Sequence, residues 1–142
     1  MAESAESYEF FDHTADIGIG ASGQTLAELF IRMAQGLTKL IAEDSVATPR
    51  MTRSIQLSAA DPESLLRAWL SELLFWFSVD RFLPADYVLD DVTPTTLRGR
   101  VRGDTFDPAR QTQGREVKAI TQHLLSVREQ DGLWRGQVIV DI

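Results

Sequence analysis

Cysteine is absent from the chain, which excludes disulfides, thiolate metal sites and a cysteine nucleophile, and agrees with a reducing cytoplasm. Positive charge is scarce: 14 Lys and Arg stand against 21 Asp and Glu, a formal net charge of −7. Such a surface cannot act as a nonspecific glove for phosphate backbones, so contact with RNA has to be local or made through another protein. No apolar run is long enough to span a bilayer, since the richest stretch, residues 65–77, is broken by Arg67, Ser71 and Glu72. The opening Met1-Ala2-Glu3-Ser4-Ala5-Glu6 is acidic and polar, the opposite of a secretory or transit signal, and reads as a flexible lead-in over residues 1–7. What is present, 44% hydrophobic and 25% charged residues in a chain of 142, is the profile of one globular domain over residues 8–142. The expectation is a cytoplasmic protein with no membrane partner; no oligomeric state is implied.

Hydrophobic periodicity divides the chain. Residues 8–11 and 17–21 read as strands, and then the period changes to helical: Leu26, Leu29, Phe30, Met33, Leu37, Leu40 and Ile41 lie on one face. Thr25 with Glu28 forms a reciprocal capping pair, so a helix is expected over 25–42. A strand with one wet face follows at 51–57. Asp61-Pro62-Glu63 opens a second helix over 62–79, the aspartate accepting from unpaired N–H groups and the proline fitting the first turn. Its apolar residues wrap so far round that it is buried on more than one side, with Trp76 or Phe75 as a candidate docking face. Residues 80–84 read as a turn and 87–92 as a strand. Arg98, Arg100 and Arg102 then share one face of the next strand, where Asp86 and Asp90 can pair with them across a hairpin. Residues 116–123 and 124–128 read as strand, Gln130-Asp131-Gly132 as a hairpin turn, and the last strand turns Trp134, Gly136, Val138, Val140 and Ile142 inward, leaving Asp141 on the other face. Two helices and a mostly antiparallel sheet make the fold class α+β.

The densest chemistry lies in Asp12-His13-Thr14-Ala15-Asp16, three potential ligands or proton carriers in five residues. Acids so spaced also serve as turn caps for backbone N–H groups, and both readings stand. Gly18-x-Gly20-x-x-Gly23 matches a dinucleotide fingerprint, but it alternates with Ile17, Ile19 and Ala21 as one strand and precedes no repeated βαβ unit, so nucleotide binding of that kind is not expected. A second run, Glu116-Val117-Lys118-Ala119-Ile120-Thr121-Gln122-His123, carries a lysine and the chain's other histidine; in a regular strand Lys118 and His123 point to opposite faces.

These elements, with the helix over 26–41, Glu72-Leu73-Leu74 in the second helix and the ending Val140-Asp141-Ile142, resemble the archease family over nearly the whole chain and in order. The HTAD and EVKAIT elements are its most specific marks. The resemblance implies a protein cofactor, not an enzyme, whose partner is the RtcB-type RNA ligase that joins tRNA halves ending in a 2′,3′-cyclic phosphate or 3′-phosphate to a 5′-hydroxyl. It implies promotion of guanylylation of the ligase's active-site histidine, support of multiple turnover and broader nucleotide use. By position it puts a divalent cation, calcium first with magnesium or manganese as alternatives, on Asp16, Asp141 and the terminal carboxylate of Ile142. Lys118 takes the family's important lysine, with His13 and His123 as neighbours facing the partner. Gln111 and Gln122 depart from the family pattern. Two other functions were open to the residues themselves: a metal-dependent phosphate-ester hydrolase using Asp12, His13 and Asp16, and a non-catalytic, chaperone-like binding domain.

Overall fold

The computed structural model describes residues 8–13, 16–43 and 46–142. The expected lead-in at 1–7, residues 14–15 and 44–45, and the side chains of Asp12 and His13 lie outside that description. In chain order the elements are β1 (Tyr8–His13), β2 (Asp16–Gly23), α1 (Leu26–Ile41), β3 (Met51–Ser58), α2 (Pro62–Asp80), β4 (Phe82–Val92), β5 (Thr96–Thr105), β6 (Ala119–Ile120), β7 (Ser126–Gln130) and β8 (Leu133–Asp141). One sheet runs β1-β2-β8, with β6 and β7 set in tandem along the far edge of β8; the other runs β3-β5-β4. Every described pairing is antiparallel, so the α+β class holds.

Each helix touches strands of both sheets, and the core runs through the helix layer. At the start of α1 the Thr25 hydroxyl accepts from the Glu28 N–H at 3.1 Å, while the Glu28 carboxylate takes the Gln24 N–H at 2.6 Å, one residue ahead of the cap. Asp61 caps α2 as its sequence predicts, accepting from the Ser64 N–H at 2.7 Å with Pro62 in the first turn. These Ser64 hydrogen bonds hold the Asp61 carboxyl below its usual range. The far end of α2 closes on Arg81 in the left-handed region, φ 59°, with its guanidinium over the rings of Phe77 and Phe106. The Trp69 indole donates to the Phe30 carbonyl at 2.9 Å and meets Tyr87 edge-on, and the Tyr87 and Thr38 hydroxyls lie 3.1 Å apart. Both helices are thereby tied to β4. Burial pushes the Tyr87 phenol well above its ordinary range, against the opposing effect of the Thr38 hydrogen bond.

Several expectations change. Trp76 is core, edge-on to Phe82, and only Phe75 of the proposed docking pair is exposed. Residues 82–84 are strand rather than turn: β4 is an edge strand whose register shifts between Pro84 and Asp86, and such an irregularity tolerates proline. Of the strand expected over 116–123 only β6 pairs, because Val117 and Ile120 both enter the core and a spacing of three breaks the alternation of two. After the Thr121 N–H bond to the Ile139 carbonyl the chain leaves the ladder through residues 122–125, so the next strand begins at Ser126, not at 124. Gly18, Gly20 and Gly23 all stay on β2 with no phosphate-binding bend, and the Phe11 ring covers Gly18 where a Cβ would be. The arginine stripe is the expected hairpin: Arg102 grips Asp86 with two bonds at 2.8 and 2.6 Å, and Arg100 meets Asp90 at 3.4 Å.

Candidate functional site

The row that matters crosses the first sheet at the end of β8. In register, His13 lies opposite Asp16, Asp16 opposite Asp141, and Asp141 opposite Ala119. Residues directly opposed on antiparallel strands share a face, so Asp16 and Asp141, both partly buried, stand side by side. Among the described residues neither carboxylate has a hydrogen-bonded or ion-paired side-chain partner. Ile142 follows at once, and its side chain packs on the core. Asp12 pairs with Ile17 instead, one row away, so the three groups of the hydrolase reading do not form one row.

Lys118 enters from the other side of β8. Its N–H donates to the Asp141 carbonyl at 2.7 Å, and its side chain is exposed. Buried Val117 and Ile120 on either side anchor the segment, and the Thr121 N–H and hydroxyl both reach the Ile139 carbonyl, at 3.0 and 2.8 Å. Two charged residues of α2 hold the outer edge of this broken strand: the Arg67 Nε donates to the Ile120 carbonyl at 2.8 Å, and Glu63 accepts from the Val127 N–H at 3.3 Å. Edge strands expose unpaired backbone groups, and here a helix covers them. Sequence reading missed both clamps, since an acid and a base four apart on a helix reveal nothing of a partner about sixty residues away.

His123 lies in the turn after β6 rather than on a strand, exposed, with its N–H on the Thr121 hydroxyl at 3.2 Å. Thus the backbone brings Asp16 opposite Asp141 and ties Lys118 to that same Asp141 through its N–H; His123 sits along the same edge, and His13 holds a place in the row by its backbone. Gln111 takes a structural part, donating to the Val46 carbonyl at 2.8 Å and accepting from the Asp107 N–H at 2.6 Å. Among the described residues no three His, Cys, Asp or Glu side chains converge as a ready metal cage. The donor chemistry is nonetheless that of a hard cation: two carboxylates on one face and no sulfur.

The model of the Archease protein family (MTH1598/TM1083) matches residues 8–142. The chain belongs to the archease family. It is 31% identical to the protein archease of Methanosarcina mazei over 146 residues, covering 100% of both chains. Against the protein archease of Pyrococcus furiosus the identity is 34% over 139 residues, 95% of this chain and 98% of the relative. The solution structure of protein 1598 from Methanobacterium thermoautotrophicum superposes with a TM-score of 0.80 at 31% identity, over 96% of this chain and 99% of that one. An archease from Thermotoga maritima, described as a possible chaperone, shares the fold with a TM-score of 0.67 at 20% identity, over 93% and 94%.

Proposed function

We propose that this archease-family chain is a non-enzymatic protein cofactor of an RtcB-type RNA ligase in the cytoplasm, promoting guanylylation of the ligase's active-site histidine and sustaining its turnover. The observation that carries the reading is the meeting of the two family elements farthest apart in the chain: Asp16 faces Asp141, and Lys118 is bonded through its N–H to that same Asp141. Asp16, Asp141 and the terminal carboxylate would hold a divalent cation, calcium first, with magnesium or manganese as alternatives. When bound, the cation offsets the repulsion of the carboxylates and offers a positive centre to an anionic group of the ligase complex. Lys118 supplies a second, mobile cation from the neighbouring strand, suited to a phosphate or carboxylate. Its backbone is fixed by Val117, Ile120 and Arg67, so only the side chain has to move. RNA is met locally or through the ligase, as the net charge of −7 requires.

The test is multiple-turnover sealing of a broken RNA by the cognate ligase with GTP, with and without this protein. Stimulation by the wild type, no sealing by the protein alone, and loss of most stimulation in folded Lys118→Ala are expected. Unchanged stimulation by Lys118→Ala would return Lys118 to an ordinary surface charge, and sealing by the protein alone would end the cofactor reading.

A further inference from the structure

The turn between β6 and β7 is built at odds with its own backbone. Leu124 has φ 54°, in the left-handed region that glycine and asparagine occupy at lower cost than other residues, yet it is a leucine and 49% exposed. A turn needed only to return the chain to β8 would be served by either of those residues. Nor is the segment loose. Gln137 donates its side-chain amide to the Leu124 carbonyl at 2.8 Å, the Leu125 N–H reaches the Gln122 carbonyl at 3.3 Å, and the Arg67 and Glu63 bonds hold the strands on either side. The fold thus holds an apolar side chain in an unfavourable conformation with about half of its surface left in water.

Its position supplies a reason. Thr121 bonds to the Ile139 carbonyl, two residues from Asp141, and Gln137 stands four residues from Asp141, so at strand rise the turn begins about 7 Å and reaches about 13 Å along β8 from the Asp16–Asp141 row. An ordinary protein interface, about 800 Å² on each side, spans both. We propose that residues 121–125 form a rigid docking element in which Leu124 enters an apolar cleft of the protein that meets the row. The partner is the ligase, so the inference rests on the function proposed above. Holding the turn in advance lowers the ordering cost of association, as preorganised binding elements do.

The experiment titrates wild type, Leu124→Asn, Leu124→Gly and Lys118→Ala into the ligase sealing assay, with a thermal melt and a sedimentation profile for each. Asparagine and glycine accept the left-handed conformation, so both Leu124 variants are expected to melt at or above the wild-type temperature. Their half-maximal stimulating concentration should rise about tenfold, equivalent to about 1.4 kcal/mol of binding, with the plateau preserved. A half-maximal concentration equal to wild type in both folded variants overturns the proposal. A wild type that self-associates through this turn, with monomeric Leu124 variants, assigns Leu124 to a second copy and overturns it as well. A wild type that never stimulates fails the cofactor reading itself, and Lys118→Ala then has nothing to lose, which separates the two failures.

Discussion

Two carboxylates directly opposite each other on neighbouring strands work against the fold, and Asp16 and Asp141 have no charged side-chain partner among the described residues. In chelator, Asp16→Asn or Asp141→Asn is therefore expected to raise the melting temperature, by an amount equivalent to roughly 0.2–1 kcal/mol. In calcium the order reverses: the wild type gains stability by linkage and the variants do not. Calorimetric titration beside the melts reads both effects, and equal calcium affinity in all three proteins would leave the acids as turn caps. On the same face, Gly18→Ala sets a methyl group against the Phe11 ring. The ring has to leave its place, at a cost of roughly 1–3 kcal/mol, and adding Phe11→Ala should restore part of the loss in a denaturant titration.

Among the elements, α2 shows how local and distant information divide. Its start was legible because the cap and the proline act within one turn. Asp61→Ala is expected to lower the melting temperature at neutral pH. The Asp61 carboxyl is depressed below its ordinary value of 3.8, so its contribution is present above 3.8 and lost as the pH falls through the lower folded value; wild-type and variant melts should converge in strong acid. Trp69→Phe keeps a ring but removes the donor to the Phe30 carbonyl, and about 1–2 kcal/mol should be lost by equilibrium unfolding. The helices and β8 could be read from periodicity: α1 buries one face, α2 keeps helical spacing although it is buried on more than one side, and β8 alternates Gly136, Val138 and Val140 inward even though Ile139 is buried as well. The extent of β6 could not: Val117, Ala119 and Thr121 alternate like a longer strand, but the core takes Val117 and Ile120, and Arg67 takes the Ile120 carbonyl from outside. The extension of β4 through Pro84 was hidden for a like reason, since proline argues against a strand unless its place at a sheet edge is already known. At the candidate site, the acids and Lys118 could be named from the family resemblance, whereas their meeting at one place depended on β8 pairing with both β2 and β6.

For the whole molecule, the decisive arrangement is that β8, the last strand in sequence, lies inside the first sheet, with β2 on one side and β6 and β7 on the other. If the proposed cation site includes the Ile142 α-carboxylate, extending the chain by one residue after Ile142 would carry that group about 3 Å along the strand and to the other side of the sheet, beyond a coordination radius of ~2.3–2.6 Å. A C-terminal tag should thus weaken calcium binding and ligase stimulation, whereas a tag ahead of Tyr8 should leave both intact; titration of the two tagged proteins decides it. The same arrangement sets a schedule for synthesis. The β1–β2 hairpin leaves the ribosome early, but the strand that covers the open edge of β2 is made roughly a hundred residues later, about 5–20 s at ordinary elongation rates. Through that interval the β3–α2–β4–β5 portion can form from neighbouring segments, while β2 keeps a bare edge able to pair with the wrong chain. Nascent chains stalled before Leu133 should accordingly be the species that recruits chaperones.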